Sequence, residues 1–183
     1  MEDTPVSIIG IIIASVLMFI VPLIMIADRS DDISQLVVQT VTAEFIDEVI
    51  KSGKITNDSY EKFISALNST GNTYEIDMEI KILDENTAKA VTDKDARKIG
   101  SNTYYSIFTS QIEDKIGVSG QNIVNNTDGK LILKQGDEIL VTVRNESKTF
   151  SQALKTFYYN VTGDEIHIIT GTASGTIAID GAT

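Results

Sequence analysis

Residues Val6 to Ala27 read VSIIGIIIASVLMFIVPLIMIA, 22 residues without a single charge. As a helix this run spans about 33 Å, close to the hydrocarbon thickness of a bilayer at about 30 Å. Fourteen of the 22 are Ile, Leu, Val or Phe. At about −0.3 to −0.6 kcal/mol each, they favour membrane insertion by roughly 4 to 8 kcal/mol, which Ser7, Gly10, Ser15 and Pro22 offset only in part. A buried helix of a soluble domain seldom runs this long without a polar face, so a membrane-spanning helix is expected. A cleaved secretory signal is not: Met1-Glu2-Asp3-Thr4-Pro5 holds no Lys or Arg, and Met25-Ile26-Ala27 is a poor small-residue cleavage site. Flanking charge does not fix the orientation, because Arg29 is the one basic residue close behind the run.

The helical period continues past the apolar run. Ile33, Leu36, Val37, Val41, Phe45, Ile46 and Val49 recur at steps of three and four, with Asp32, Gln39, Asp47 and Glu48 on the other side. Neither glycine nor proline interrupts residues 23–52, and Lys51-Ser52-Gly53 has the form of a helix end. One helix is therefore expected from about residue 6 to 52, kinked at Pro22, where a backbone hydrogen bond is lost. Three stretches follow from this division: residues 1–27 as tail and membrane helix, 28–53 as its amphipathic continuation, and 54–183 as a globular domain.

In that domain Thr56 is placed to cap a helix over Asn57 to about Thr70, with Tyr60, Phe63, Ile64 and Leu67 on one face. Tyr74 to Ile82 alternates strictly, as a strand with one wet face does. Residues 84–102 are polar and aperiodic, and a loop is expected there. The spacing of Tyr104, Ile107, Phe108, Ile112 and Ile116 predicts a further helix ended by Gly117. Residues 122–129 are turn-rich. Leu131-Ile132-Leu133, a turn at Gln135-Gly136-Asp137, and alternating Ile139, Val141 and Val143 predict strands. A short helix is expected over Thr149 to Tyr159, then strands over Glu165–Thr170 and Ala173–Ile179 around Gly171 and Gly175. The order defines an α+β fold in which the long N-terminal helix packs on a small antiparallel sheet domain, its stripe at 33–49 covering one sheet face.

Three of these features, the apolar half-helix with Pro22, its amphipathic continuation to Gly53 and the small sheet domain behind it, give the chain a pilin-like outline. Phe45–Gly71, FIDEVIKSGKITNDSYEKFISALNSTG, with the Tyr74–Ile82 strand, and Leu131–Val143, LILKQGDEILVTV, extend the likeness over most of the chain. The chain resembles type IV pilin-like proteins, closest to the TadE-like pseudopilins of bacterial tight-adherence and related conjugative systems. Pilin precursors carry a basic leader cut by a dedicated peptidase, and no such leader stands before the apolar run here. Pilins also carry a Glu inside the apolar helix that neutralises a neighbour's N-terminal amine. In this chain the acids near that end are Glu2 and Asp3, and the resemblance assigns charge pairing to them. It further implies a structural subunit of a surface filament or of a secretion or conjugation apparatus. Such a subunit self-associates, or joins related subunits, through its N-terminal helix, with an assembly platform protein as a further partner.

Chemistry-bearing residues are sparse. The chain has no cysteine and one histidine, which excludes disulfides, thiolate sites and multi-histidine metal sites. His167 sits in an alternating segment with no Ser or Asp motif around it. Asp28, Asp31 and Asp32, and Asp93 with Asp95, lack the spacing and glycine of a calcium loop. Gly136-Asp137 and Gly163-Asp164 are turn chemistry. Sequons at Asn57, Asn68, Asn125, Asn145 and Asn160 fit a polar composition. A net charge of −11 repels phosphates, so nucleic acid is not an expected partner. No enzyme activity, metal or cofactor is expected. The candidate site is the membrane helix itself, in which Gly10 and Ala14, with Ser7 one turn earlier, form a small-residue face for close helix approach. The expected partners are membrane lipid and other helices. The competing expectation is a single-pass, membrane-tethered extracytoplasmic binding module that does not polymerise.

Overall fold

A computed structural model of the chain describes residues 3–83, 104–118, 129–146, 149, 153 and 168–181. Helix α1 runs over Asp3–Ser52, 50 residues, and continues as helix on both sides of Pro22; it is about 75 Å long. Gly53 ends it at φ +64°, a left-handed cap that glycine adopts without steric cost. Strand β1 (Lys54–Thr56) and helix α2 (Asn57–Asn68) follow. The start of α2 is a reciprocal cap: Thr56 Oγ1 accepts the Ser59 N–H at 3.1 Å and Ser59 Oγ accepts the Thr56 N–H at 3.1 Å. The remaining elements are β2 (Tyr74–Leu83), β3 (Tyr104–Phe108), α3 (Thr109–Ile116), β4 (Lys130–Ile132), β5 (Glu138–Asn145) and β6 (Thr170–Thr176).

The fold is α+β, with the long N-terminal helix packed on small antiparallel sheets. β1 pairs with β4, and a four-stranded sheet has the order β3-β2-β5-β6 with antiparallel neighbours throughout. The register places Ile107, Ile80, Ile139 and Gly175 in one cross-strand row and Met78, Val141 and Ala173 in the next. These residues share the face turned towards α1 and α2. Val38, Phe45, Ile46 and Val49 of α1, and Tyr60, Phe63 and Leu67 of α2, are buried against them in one core. The Phe45 and Phe63 rings stack at 4.5 Å between centroids. Each such side chain contributes about 1.5–3 kcal/mol on burial. The opposite sheet face carries Glu75, Lys81, Glu138 and Arg144, all exposed, with Arg144 bonded to Asp77 and 3.4 Å from Glu75.

The stripe predicted on residues 33–49 is buried only from Ser34 onward, at Ser34, Val38, Thr42, Phe45, Ile46 and Val49; Ile33 and Leu36 stay exposed. The helix predicted from Tyr104 to Ile116 is corrected: its first five residues are strand β3, and only Thr109–Ile116 is helical. Aromatic and β-branched residues fit a pleated surface, and β2 offers the partner, with Tyr105 opposite Ile82 and Ile107 opposite Ile80. The corner is fixed by Thr109 Oγ1, which accepts the Met78 N–H at 2.8 Å, and by Gln111 Oε1, which accepts the Phe108 N–H at 3.1 Å. The last strand is Thr170–Thr176, displaced from the expected Ala173–Ile179. The loop expected over 84–102, most of the turn-rich 122–129 and nearly all of the helix over 149–159 lie outside the described residues, as do residues 165–167 of the strand expected before Thr170.

Candidate functional site: the free half of the N-terminal helix

Helix α1 is divided by its surroundings. From Pro5 to Ile26 its residues are exposed or half-buried, with Met18 at 77% and Phe19 at 73% exposure; at Ala27 exposure falls to 6%. The change comes at the residue where the apolar run ends. Among the described residues one helix is therefore long and apolar enough to cross a membrane, and its apolar part is the part its own domain leaves uncovered. An exposed apolar surface of this length in water is strongly unfavourable, and a bilayer or other apolar helices remove that cost. Ser15 Oγ donates to the Ile11 carbonyl at 2.8 Å, so this hydroxyl is satisfied within the helix.

The residues singled out on this segment fall as follows. Gly10 and Ala14 lie one turn apart on an exposed face, and a Cβ built on Gly10 meets no atom within 4 Å. Pro22 is exposed and lies inside the helix. Asp3 is the first residue of α1. Glu2 lies outside the described residues, as do Asp93, Asp95, Gly163, Asp164 and His167. Among the described residues no group of His, Asp or Glu is arranged to hold a metal ion.

The junction between the free and packed halves is held by polar contacts that no local sequence pattern signals. The Gln35 carboxamide makes both bonds of a peptide group with Thr170 at the sheet edge: its Nε2 donates to the Thr170 carbonyl at 2.5 Å and its Oε1 accepts the Thr170 N–H at 2.9 Å. Asp31 Oδ2 accepts from Thr149 Oγ1 at 2.9 Å, and Asn72 Nδ2 donates to Ser34 Oγ at 3.5 Å. Beyond this collar α1 lies close on β6. A Cβ on Gly171 would stand 2.8 Å from Val38 Cγ1, and one on Gly175 would stand 2.3 Å from Ile50 Cδ1. The glycines of β6 thus let α1 pack directly on the strand at Val38 and Ile50. At the far end, Gly53 and Gly181 touch, and Gly53 O accepts the Leu133 N–H at 2.8 Å while Gly181 N–H donates to Leu133 O at 3.0 Å.

Two further polar groups are buried in the domain. Asp137, 2% exposed, accepts the Lys134 N–H at 2.8 Å and the Leu83 N–H at 3.0 Å, closing the β4–β5 turn against the end of β2. Tyr60 donates to Glu113 Oε1 at 2.6 Å. Burial first, then that hydrogen bond and the carboxylate's charge, push the Tyr60 phenol well above its usual range. A cavity of about 320 Å³ opens beside this pair, lined by Tyr60, Ile64, Tyr74, Ile76 and Glu113 among others. No spacing signal links Tyr60 to Glu113, which are 53 residues apart.

No family model, no curated protein and no solved structure matches the chain.

Proposed function

We propose that the chain is a pilin-like structural subunit, akin to the TadE-like pseudopilins it resembles. In this reading it is held in the cell membrane by a single pass of α1 and carries its α+β domain on the extracytoplasmic side. The observation that supports it is the division of α1: one half is the cover of its own sheet, and the other half is apolar and uncovered from Pro5 to Ile26. The mechanism is physical. Lipid covers Val6–Ala27 while the subunit is stored, and neighbouring helices replace lipid when subunits assemble into a filament or secretion apparatus. Small residues at Gly10 and Ala14 allow the closest approach, and Glu2 and Asp3 pair with a neighbour's N-terminal amine, as in the family the chain resembles. The partners are further copies or related pilin-like subunits, with a platform protein that feeds the helix out of the bilayer.

The test uses Gly10→Leu and Ala14→Leu in a membrane-inserted helix association assay that reports insertion and dimerisation separately. Both changes keep or raise insertion energy and add volume where backbones meet. Insertion is expected to hold while association falls. Variants that associate as well as the parent refute the Gly10–Ala14 contact. A parent helix that inserts but never associates favours a second reading, a membrane-tethered binding module that does not polymerise. The cavity beside Tyr60 and Glu113 is the observation that supports this alternative.

A further inference from the structure

Where α1 leaves its apolar run, a stripe of uncovered apolar residues continues past the membrane boundary. Met25, Ile26, Ile33 and Leu36 are 68%, 67%, 56% and 63% exposed. At 100° per residue these four fall within a sector of about 100°, and Arg29 lies inside it. A cation centred in an apolar stripe is out of place in a water-facing helix and in place at the lipid headgroup level, where its stem rests on apolar surface and its charge reaches phosphate. Arg29 lies two residues beyond Ala27, about 3 Å further along the axis. Among the described residues its guanidinium forms no ion pair, although acids lie on both sides of it in sequence. Ser30 beside it is likewise exposed.

The stripe is also one wall of a cavity. A space of about 410 Å³ lies between α1 and the turn after α2, lined by Ile26, Arg29, Ser30, Ile33, Val37 and Thr70 among others. A second space of about 260 Å³ shares Ile26, Ser30 and Thr70 and extends down to Leu23, inside the apolar run. The two together form a groove with polar groups at Arg29, Ser30, Asp31, Thr70, Asn72 and Thr149 on the domain side and Leu23, Ile26 and Ala27 towards the membrane. That polarity matches one phospholipid molecule, with phosphate above and acyl chain below. The arginine fork suits phosphate oxygens, which it binds through paired N–H donors. Asp32, exposed and one turn from Arg29, supplies the opposite charge for a headgroup ammonium. The segment Asp28-Arg29-Ser30-Asp31-Asp32 has a net charge of −2 (one base, three acids), which disfavours anionic lipids.

We infer that the groove between α1 and the α2–β2 turn is a binding site for a zwitterionic phospholipid, with its phosphate on Arg29 and Ser30 and its ammonium towards Asp32. This rests on the membrane reading of α1 but not on filament assembly. A lipid held here keeps the domain seated on the bilayer surface and covers Ile26 and Ile33 until a partner replaces it.

The full chain, purified in detergent, is tested by native mass spectrometry against three probes with the same acyl chains: dioleoylphosphatidylethanolamine, dioleoylphosphatidylglycerol and dioleoylglycerol, which lacks phosphate. Retention of phosphatidylethanolamine above phosphatidylglycerol, with no retention of dioleoylglycerol, is expected. Arg29→Gln is expected to lower phosphatidylethanolamine retention about fivefold, the worth of one cation at a lipid surface, and Asp32→Asn to narrow its advantage over phosphatidylglycerol. Both residues are exposed, and an unchanged near-UV circular dichroism spectrum confirms that the variants fold. Equal retention of dioleoylglycerol, equal retention by Arg29→Gln, or displacement of the lipid by inorganic phosphate overturns the inference. Flotation of the full chain with vesicles separates the two levels: a chain that floats but retains no phospholipid refutes this site alone, and a chain that does not float refutes the membrane reading and the site with it.

Discussion

Replacing Gly171 by alanine probes the contact that lets α1 pack directly on β6. The added Cβ would stand 2.8 Å from Val38 Cγ1, 3.1 Å from the Val38 carbonyl oxygen and 3.3 Å from Thr42 Oγ1. Val38 is fully buried, its χ1 is held by β-branching within a helix, and a helix carbonyl cannot turn away. Overpacking of this kind costs about 1–3 kcal/mol, and the stiffer unfolded chain offsets about 0.4–1 kcal/mol of it. A net loss of about 0–2.6 kcal/mol follows, centred near 1.3 kcal/mol, which is a fall in melting temperature of roughly 3–5 °C for a domain of this size. Gly175→Ala is the instructive control. Its nearest contact is shorter, 2.3 Å, but the atom is Ile50 Cδ1, the tip of a half-buried side chain. Rotation about χ2 of Ile50 moves that tip away and leaves Ile50 Cγ1 at 3.2 Å; the stiffer unfolded chain offsets this residual contact, and stability should stay within about 0.5 kcal/mol of the parent. The assay is thermal unfolding of the full chain in detergent, followed by near-UV circular dichroism. Equal effects of the two variants, or a larger effect at Gly175, would refute the reasoning that a fixed backbone, and not mere proximity, decides the cost.

Three further outcomes are expected. Gly53→Ala combines a positive φ with a Cβ 2.5 Å from the Gly181 nitrogen; it should cost more than about 2 kcal/mol, read as loss of soluble yield or of the near-UV signal. The Tyr60 phenol is raised above its unfolded value, so its contribution is complete below about pH 10 and is lost as pH rises past that point; Tyr60→Phe should flatten the alkaline limb of the stability profile while leaving neutral and acid pH little changed in shape. Among the described residues, 28–183 hold every buried apolar side chain but Ala27, and this stretch should fold alone as a monomer with a near-UV spectrum like that of the full chain; a molten spectrum that the N-terminal segment restores would show that α1 must be continuous for the domain to form.

Where chain-local physics decides, the sequence was a good guide. Helix α1 was predicted at residues 6–52 and runs Asp3–Ser52; the Thr56 cap, α2 and the alternating strands β2 and β5 stand where the pattern put them. Partners decided the rest. Tyr104–Phe108 carries a spacing that suits helix or strand, and β2 settles it by pairing. β6 reads TGTASGT, with no apolar alternation, because α1 fills the volume that side chains would otherwise occupy over Gly171 and Gly175. β1 is three residues long and exists through its pairing with β4. At the candidate site the apolar run and its small residues were legible directly. The collar of Asp31, Ser34 and Gln35 was not, since its partners Thr149, Asn72 and Thr170 are 38 to 135 residues away.

The membrane placement of α1 is tested most directly by depth measurement along the helix. The chain has no native cysteine, so single cysteines at Val6, Val16, Met25 and Asp32, all exposed, carry nitroxide labels without background. The full chain is placed in phospholipid vesicles, and each label's accessibility to oxygen is compared with that to a water-soluble nickel chelate. A single maximum of the oxygen-to-nickel ratio at Val16, falling towards Val6 and Met25 and reaching the aqueous value at Asp32, is the predicted profile. A label at Val16 as open to the nickel chelate as the label at Asp32 would contradict it.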